Sequence, residues 1–315
     1  MTPPAIDGTL RAGGNRRGVR RDQLGAKLQR LRTIRSVATA LCLLGALAPA
    51  AATASTGAAA KPHSAPALKS NAFYILDQSG SKVLAARNEK VAVPIASITK
   101  LMTALVVLEA GQPMNETIAI TKDDVRGTPG STSRLASGAR LSRSDLLHLA
   151  LMSSENRAAH ALCRTYPKGL RACVQAMNAK AKALGMKSAR FVEPTGLSAA
   201  NVASPEDLAK LVRAAGTDAT IREFSTDTEH TVRVNKQSLE FRNTNLLVDK
   251  SNWQVTVQKT GYIAEAGRCL VMEAVIDGRD VVIVLLNSWG RLTRIGDANR
   301  IRTWMEASRA TPNPG

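Results

Sequence analysis

The sequence predicts an α+β domain, in which a mostly antiparallel sheet is flanked by helices and a helical subdomain is inserted from about 98 to 215. Two strand patterns come first, helical patterns fill the middle, and three strand patterns with a last helix close the chain. Because strands at both ends of a domain share one core, we expect the first hairpin to pair with the late strands.

The first strands are "AFYILD" and "KVLAARN", which flank the turn "QSGS" with Gly80 inside it. This arrangement predicts a hairpin. The late strands are "WQVTVQKTG", "CLVMEAVIDG" and "DVVIVLLNSW", and the turn signal "DGRD" joins the last two. A final helix is predicted from about Thr293 to Ala307, where apolar residues recur at helical spacing.

The central helices are predicted from periodicity and capping residues. Residues 101–108, "LMTALVVL", are apolar all round, which predicts a buried helix. After a loop-rich stretch over 112–140, Ser142 begins the second predicted helix, "LSRSDLLHLALMSSEN". A third helix is predicted over 169–184, and "ASPEDLAKLVRAAG" predicts a fourth with Ser204 as its N-cap.

Residues 1–54 have the pattern of an export signal. Arginines precede the apolar run "SVATALCLLGALAPA", and Ala52 and Ala54 fit a cleavage site before Ser55. The run is shorter than the roughly 20 residues of a membrane-spanning helix. We therefore expect a signal peptide, export to the periplasm, and no transmembrane anchor after signal cleavage.

The rest of the chain divides by composition. Residues 55–70 are rich in Ala, Ser and Pro, which predicts a flexible linker. The folded domain is predicted to span 71–310, followed by a short tail over 311–315.

The net charge of +18 is unevenly spread. Residues 1–54 hold nine basic and two acidic residues, and the remainder holds 34 basic and 23 acidic ones. Basic clusters interleaved with aromatic residues are missing from the sequence, and export is expected, so we do not expect nucleic acid as a partner. A basic surface instead favours contact with anionic polymers of the cell envelope.

Cys163, Cys173 and Cys269 remain after the signal. Cys163 and Cys173 flank "RTYPKGLRA", a predicted helix–turn–helix, so a disulfide and two free thiols both stay open. Cys269 lies in the apolar stretch "CLVMEAVI", which favours a buried thiol. The spacing of cysteines and histidines does not predict a metal site, and we expect no organic cofactor.

A serine and a lysine stand one helical turn apart in "VPIASITKLM". A serine hydroxyl needs an adjacent base to act as a nucleophile. Lys100 can serve Ser97 as that base if burial lowers its pKa, and the apolar helix that follows supplies burial. Alone, this spacing is a weak signal.

Two later stretches strengthen the interpretation. "MSSENRAA" contains Ser154-Glu155-Asn156, and "QKTGY" contains Lys259-Thr260-Gly261 at the end of a predicted strand. The patterns S-x-x-K, S-x-N and K-T-G in this order are typical of the serine enzymes that recognise penicillin.

The resemblance extends well beyond these motifs. The stretches "SSENRAAHAL", "AMNAKAKALGM", "RFVEPTGLSAANVASPEDLAKLV" and "KTGYIAEAGRCLVMEAVI" resemble low-molecular-weight D-alanyl-D-alanine peptidases (peptidase family S11), specifically endopeptidases of the penicillin-binding protein 7 type. The resemblance covers about residues 70–310. It implies a fold of the β-lactamase/transpeptidase type, peptidoglycan cross-links as substrate and β-lactam antibiotics as inhibitors.

The resemblance also implies catalytic roles. Ser97 attacks the carbonyl carbon of a D-alanyl peptide bond and forms an acyl-enzyme, and Lys100 takes its proton. Ser154, helped by Lys259, relays a proton to the leaving amine. The backbone N–H groups of Ser97 and Tyr262 form the oxyanion hole.

The substrate-binding residues follow in the same way. Asn156 hydrogen-bonds the substrate backbone, and Lys259 and Thr260 hold its carboxylate. Gly261 leaves the strand edge clear, so that substrate lies beside it as an added strand.

Three nearby residues have other interpretations. Glu193 resembles the deacylating acid of a β-lactamase, but "PTGL" after it is similar to the peptidases, so we interpret it as structural and disfavour a β-lactamase. Arg268 is a weaker candidate for binding a substrate carboxylate. Ala264 replaces an expected polar residue, which leaves substrate preference open.

Only 54 residues follow Gly261. The carboxypeptidase relatives carry a further C-terminal β-domain and an amphipathic anchor, which do not fit there. We therefore expect an endopeptidase that cuts D-alanyl-diaminopimelate cross-links. The alternatives are a D-alanyl-D-alanine carboxypeptidase and, from another class, a wall-binding protein without turnover.

Overall fold

The structure, a computed structural model, describes residues 65–79 and 81–309. The predicted signal peptide, Gly80 of the first turn, most of the predicted linker and the predicted tail lie outside these residues.

Strands lie toward both ends of the described chain, and most of the helices lie between them. The strands are β1 Ala72–Asp77, β2 Lys82–Arg87, β3 Val93–Pro94, β4 Thr117–Ala119, β5 Arg140–Ser142, β6 Val202–Ala203, β7 Glu229–Val234, β8 Gln237–Arg242, β9 Gln254–Ile263, β10 Gly267–Ile276 and β11 Arg279–Ser288. The helices are α1 Thr99–Glu109, α2 Lys122–Arg126, α3 Arg143–Met152, α4 Asn156–Arg164, α5 Gly169–Ala183, α6 Pro205–Gly216, α7 Ala219–Thr226 and α8 Thr293–Arg309.

In the described part of the chain, the main sheet has five strands in the order β2-β1-β11-β10-β9, and each neighbouring pair is antiparallel. The first hairpin pairs with the last strand, with Ala72 opposite Leu286. This confirms the predicted α+β class. It also leaves β9 at the edge of the sheet, where a further strand can pair with it.

The sheet is buried on both faces, because helices cover each side. Val271 and Val284 belong to one apolar cluster with α1 and α6, whereas Leu270 and Leu285 pack against α8. Successive residues of a strand point to opposite faces, so both sets must be apolar. This accounts for the near-continuous apolar runs of β10 and β11.

The helical part is built around α1. Residues 99–107 of this helix are all buried, as its apolar composition predicts. Ser142 caps α3 by accepting a hydrogen bond from the backbone N–H of Asp145, and Ser204 caps α6 in the same way. Both predicted N-caps are therefore confirmed.

The predicted second helix is wrong at its end. α3 stops at Met152, and α4 begins separately at Asn156. Ser154 between them has a φ of +62°, a left-handed conformation that a helix interior does not admit. Neither glycine nor proline marks this break, so the sequence predicts one continuous helix there.

The helix α7 and the β7–β8 hairpin were not predicted. The strands of the hairpin are short and carry many exposed polar residues. Their turn uses Asn235 at a φ of +56° rather than the more recognisable Asn-Gly pair.

The last residues of the predicted linker are fixed to the domain rather than flexible. Leu68 packs in the α8 cluster. The backbone N–H groups of Lys69 and Ser70 and the Ser70 hydroxyl donate to the buried carboxylate of Asp297 in α8. This carboxylate gave no recognisable signal in the sequence.

Cys163 and Cys173 form a disulfide that joins α4 to α5, with their Cα atoms 5.4 Å apart. Cys269 is a buried free thiol, as expected. Within residues 65–79 and 81–309, no helix is both long and apolar enough to cross a membrane.

Candidate active site

Ser97 lies in a short 3-10 helix, Ala96–Ile98, directly before α1. Ala96 has a φ of +47°, which is unusual for a residue with a side chain. The Thr99 hydroxyl donates to the Ala96 carbonyl at 2.8 Å and holds this turn. The turn leaves Ser97 partly exposed, whereas Lys100 is only 1% exposed.

The ammonium of Lys100 is surrounded by three acceptors. Its Nζ donates to Ser97 Oγ at 2.9 Å, to Asn156 Oδ1 at 2.7 Å and to the Thr195 carbonyl at 2.6 Å. A lysine ammonium has three donors, so all of them are used. Loss of one proton would leave a lone pair on Nζ within reach of the Ser97 hydroxyl.

Burial lowers the pKa of Lys100 to about 8, and the negative charges of Glu193 and Glu155 oppose this shift. A lysine with such a pKa is partly neutral near physiological pH. Lys100 is therefore suited to act as a base toward Ser97.

The break between α3 and α4 places Ser154 and Asn156. The Glu155 carboxylate accepts the Ala158 backbone N–H at 2.7 Å and caps α4. Asn156 is the first residue of α4 and reaches Lys100. Ser154 is held by the turn rather than by a helix, which corrects the sequence prediction.

Lys259 and Thr260 lie within β9, which continues to Ile263 beyond the predicted strand end, and both are buried. Burial lowers the pKa of Lys259 well below its usual value, and the charges of Lys100 and Arg294 lower it further. The Thr260 hydroxyl lies 2.7 Å from the Thr244 hydroxyl. An anion bound here would offset the repulsion between these buried cations.

Gly261 in β9 and Gly196 in the loop after Glu193 approach the turn Ala96–Ile98 closely. A Cβ on Gly261 would lie 3.0 Å from the Ser97 backbone nitrogen, and one on Gly196 would lie 1.9 Å from the Ala96 carbonyl oxygen. Gly196 also has a φ of +82°. Gly261 therefore allows β9 to approach the nucleophile, and the clearance for substrate that the resemblance implies stays a prediction.

Glu193 organises the loop that contacts Lys100. Its carboxylate accepts the Thr195 backbone N–H and hydroxyl, each at 2.6 Å, and the Gly196 N–H at 2.6 Å. The Asn201 side chain also donates to it at 2.9 Å. These bonds fit the structural role expected for Glu193.

Arg294, in the first turn of α8, was not predicted from the sequence. Its Nε and Nη1 are buried, and in the described residues they have no hydrogen-bond partner. Burial and the charge of Arg268 lower its pKa. Arg268 itself stacks over the Tyr262 ring, with Cζ 4.6 Å from the ring centroid. A guanidinium whose Nε and Nη1 are unpaired among the described residues, and whose charge acts on Lys259, is suited to bind a carboxylate.

Two clefts are lined in part by the segment from Ser154 to Asn156. The strand-edge cleft has a volume of about 730 Å³ and includes Asn156, Glu193, Tyr262 and Ile263. The serine cleft has a volume of about 440 Å³ and includes Ser154, Arg134 and Phe241. Thr132 lines both.

Comparison with known proteins identifies the family. Residues 59–290 match the peptidase S11 family model, described as D-alanyl-D-alanine carboxypeptidase. The chain belongs to this family and is a serine peptidase of the D-alanyl-D-alanine type.

Curated relatives include two named D-alanyl-D-alanine endopeptidase. The one from Pseudomonas aeruginosa is 46% identical over 249 residues, which cover 78% of this chain and 80% of the relative. The one from Escherichia coli is 44% identical over 262 residues, covering 82% and 84%.

Solved structures confirm the expected β-lactamase/transpeptidase-type fold. A Streptomyces DD-transpeptidase superposes with a TM-score of 0.72 at 26% identity, covering 77% of this chain and 98% of that one. A D-alanyl-D-alanine carboxypeptidase from Mycobacterium tuberculosis gives 0.70 at 25% identity, covering 79% and 94%.

Proposed function

We propose that this protein is a D-alanyl-D-alanine endopeptidase that cleaves D-alanyl-diaminopimelate cross-links of peptidoglycan through an acyl-enzyme on Ser97. The observation that carries the proposal is the Lys100 Nζ, buried and 2.9 Å from Ser97 Oγ. The names of the Pseudomonas aeruginosa and Escherichia coli relatives support the endopeptidase activity.

In the first step, neutral Lys100 accepts the hydroxyl proton of Ser97 as Oγ attacks the D-alanyl carbonyl carbon. The backbone N–H groups of Ser97 and Tyr262 stabilise the oxyanion that forms. The proton then passes from Lys100 through Ser154 to the leaving nitrogen, and the C–N bond breaks. Water afterwards hydrolyses the ester on Ser97 and restores the hydroxyl.

Substrate is held on both sides of the bond. Asn156 donates through its amide to the backbone of the acyl part, which lies along the free edge of β9 as an added strand. Lys259, Thr260 and Arg294 bind the carboxylate next to the leaving nitrogen, since they present buried cationic and hydroxyl donors together.

The same geometry makes Ser97 a target of penicillin, because a β-lactam also presents a carbonyl to the serine and a carboxylate to Lys259 and Thr260. The expected site of action is the periplasm, reached through the signal peptide over 1–54 with cleavage before Ser55. The domain over 71–310 carries the activity, and no cofactor is needed.

The test compares two substrates with the protein from Ser55 to Gly315. Purified cross-linked peptide dimers and pentapeptides ending in D-Ala-D-Ala are incubated separately, and the products are separated by chromatography and weighed. Conversion of dimers to monomers, lost in Ser97→Ala, is the expected result. Release of D-alanine from pentapeptides with intact dimers would identify a carboxypeptidase instead, and no turnover of either would favour a wall-binding protein.

A further inference from the structure

The serine cleft is lined by Ser154 but by no residue of β9, and the mechanism above assigns no ligand to it. It has a volume of about 440 Å³. This size is in the range of pockets that bind whole ligands. A single departing D-alanine would occupy a small part of it.

The segment from Ser154 to Asn156 contributes to both clefts, with Asn156 in the strand-edge cleft and Ser154 in the serine cleft. The strand-edge cleft includes Tyr262 and Ile263, so it holds the acyl part that pairs with β9. The serine cleft includes Ser154, which delivers the proton to the leaving nitrogen. The leaving strand therefore emerges into the serine cleft.

One wall of this cleft presents a fixed cation. The Arg134 guanidinium lies over the Phe241 ring, with Cζ 3.9 Å from the centroid, and donates to the Glu240 carbonyl at 2.5 Å. The next residue, Leu135, is buried, and its carbonyl accepts a bond from Arg157 at 2.8 Å. The side chain is thus held in place while remaining exposed to the cleft.

The second arginine of the cleft, Arg242, already has a carboxylate partner. Arg242 donates to the Glu240 carboxylate at 2.8 Å. The cleft is also lined by Glu155, whose carboxylate accepts the Ala158 backbone N–H. The side chain of Arg134 has no carboxylate partner among the ion pairs of the described residues, so its guanidinium can still pair with the carboxylate of a ligand.

We propose that the serine cleft binds the peptide stem of the leaving strand, and that Arg134 recognises a carboxylate on that stem. This inference rests on the proposed endopeptidase function and names the specificity residue for its leaving group. A peptide of this kind carries carboxylates beyond the one next to the scissile bond, whereas a leaving D-alanine carries only that one. A stacked guanidinium suits such an anion.

The test uses two synthetic cross-linked dimers that differ only in the terminal carboxylate of the leaving stem, free in one and amidated in the other. Kinetics are measured for the unaltered protein, Arg134→Gln, Arg134→Lys and Arg233→Ala. Arg233 is an exposed arginine of the β7–β8 hairpin that does not line the cleft and serves as the matched control.

For the dimer with the free terminal carboxylate, the unaltered protein is expected to have a KM about three- to fivefold lower than for the amidated dimer. This ratio corresponds to the free energy of an exposed ion pair. Arg134→Gln should abolish this preference by raising KM for the free dimer, with kcat and penicillin acylation unchanged. Arg134→Lys should retain part of the preference, and Arg233→Ala should retain all of it.

If Arg134→Gln and the unaltered protein have the same kcat and KM for each of the two dimers, this inference alone is overturned. If Arg134→Gln loses penicillin acylation to the same extent as cleavage of the dimer, this inference is also overturned. Arg134 would then affect the position of Ser97 rather than the binding of the leaving stem. Penicillin acylation without cleavage of either dimer would reject the endopeptidase function, and this inference with it.

Discussion

The chemistry of the site depends on the ionisation of one residue, Lys100. Three acceptors surround its Nζ, which favours the ammonium, while burial lowers its pKa to about 8. The ammonium cannot accept a proton from Ser97, but the neutral amine can. The balance between these forms therefore sets the rate at which Ser97 becomes acylated.

We expect the rate of penicillin acylation to rise about tenfold per pH unit below pH 8 and to level off above it, as the fraction of neutral Lys100 saturates. The measurement is a pH series with a fluorescent penicillin. Lys100→Arg stays charged throughout and should lose at least about a hundredfold in rate.

Lys90→Arg provides the control, since Lys90 is exposed and outside the two clefts. It should keep the profile of the unaltered protein. A rate that does not change with pH on either side of the Lys100 pKa would contradict the role of Lys100 as the base.

The site also requires that the chain at Gly196 lies close to the turn Ala96–Ile98, which carries Ser97. Substitution of Gly196 tests this requirement. Gly196→Ala combines left-handed strain with a Cβ 1.9 Å from the Ala96 carbonyl oxygen. Gly278→Ala has similar strain, at a φ of +72°, but its Cβ meets nothing within 4 Å. The pair separates backbone strain from collision at the active site.

We expect Gly278→Ala to lose about 1–2 kcal/mol in the free energy of unfolding, with its acylation rate unchanged. Gly196→Ala should lose more stability and at least about tenfold in acylation rate, because the turn that carries Ser97 must move. Urea unfolding and fluorescent penicillin measure the two effects. Equal losses in both variants would show that contact with Ala96 is unimportant.

At the scale of elements, the disulfide between α4 and α5 stabilises the helical part without touching the chemistry. It lies at the far end of α4 from Asn156. The variant with both Cys163→Ala and Cys173→Ala should lose about 2–3 kcal/mol in the free energy of unfolding, since the cross-link restricts the unfolded chain. Its acylation rate at room temperature should stay the same.

Denaturant curves of the oxidised protein and the double variant provide the measurement. A loss of activity that parallels the loss of stability would instead connect the disulfide to the position of Asn156.

Some features of the helices and strands can be predicted from the sequence, and others cannot. Helix caps such as Ser142 and Ser204 follow from local hydrogen bonds, so the sequence predicts them well. The break at Ser154 could not be predicted, because serine is not one of the residue types that favour the left-handed backbone it adopts. The β7–β8 hairpin lies outside the main sheet and lacks a strong apolar alternation.

At the scale of the whole molecule, the order of motifs predicted the site better than any single motif. The three motifs come from distant parts of the chain. The fold brings Lys100 of the first motif into contact with Asn156 of the second, while Ser97 lies one turn away from Lys100. Arg294 was not predicted because its role depends on how α8 packs on the sheet. This packing buries its Nε and Nη1 without a hydrogen-bond partner among the described residues and brings its charge close to Lys259.

The central claim is that Ser97 is the nucleophile, and intact mass after incubation with penicillin tests it most directly. The protein from Ser55 to Gly315 should gain the mass of one penicillin, and Ser97→Ala should gain nothing. An adduct of equal yield on Ser97→Ala would place the nucleophile elsewhere and contradict the account. An unmodified protein beside intact penicillin would contradict it as well.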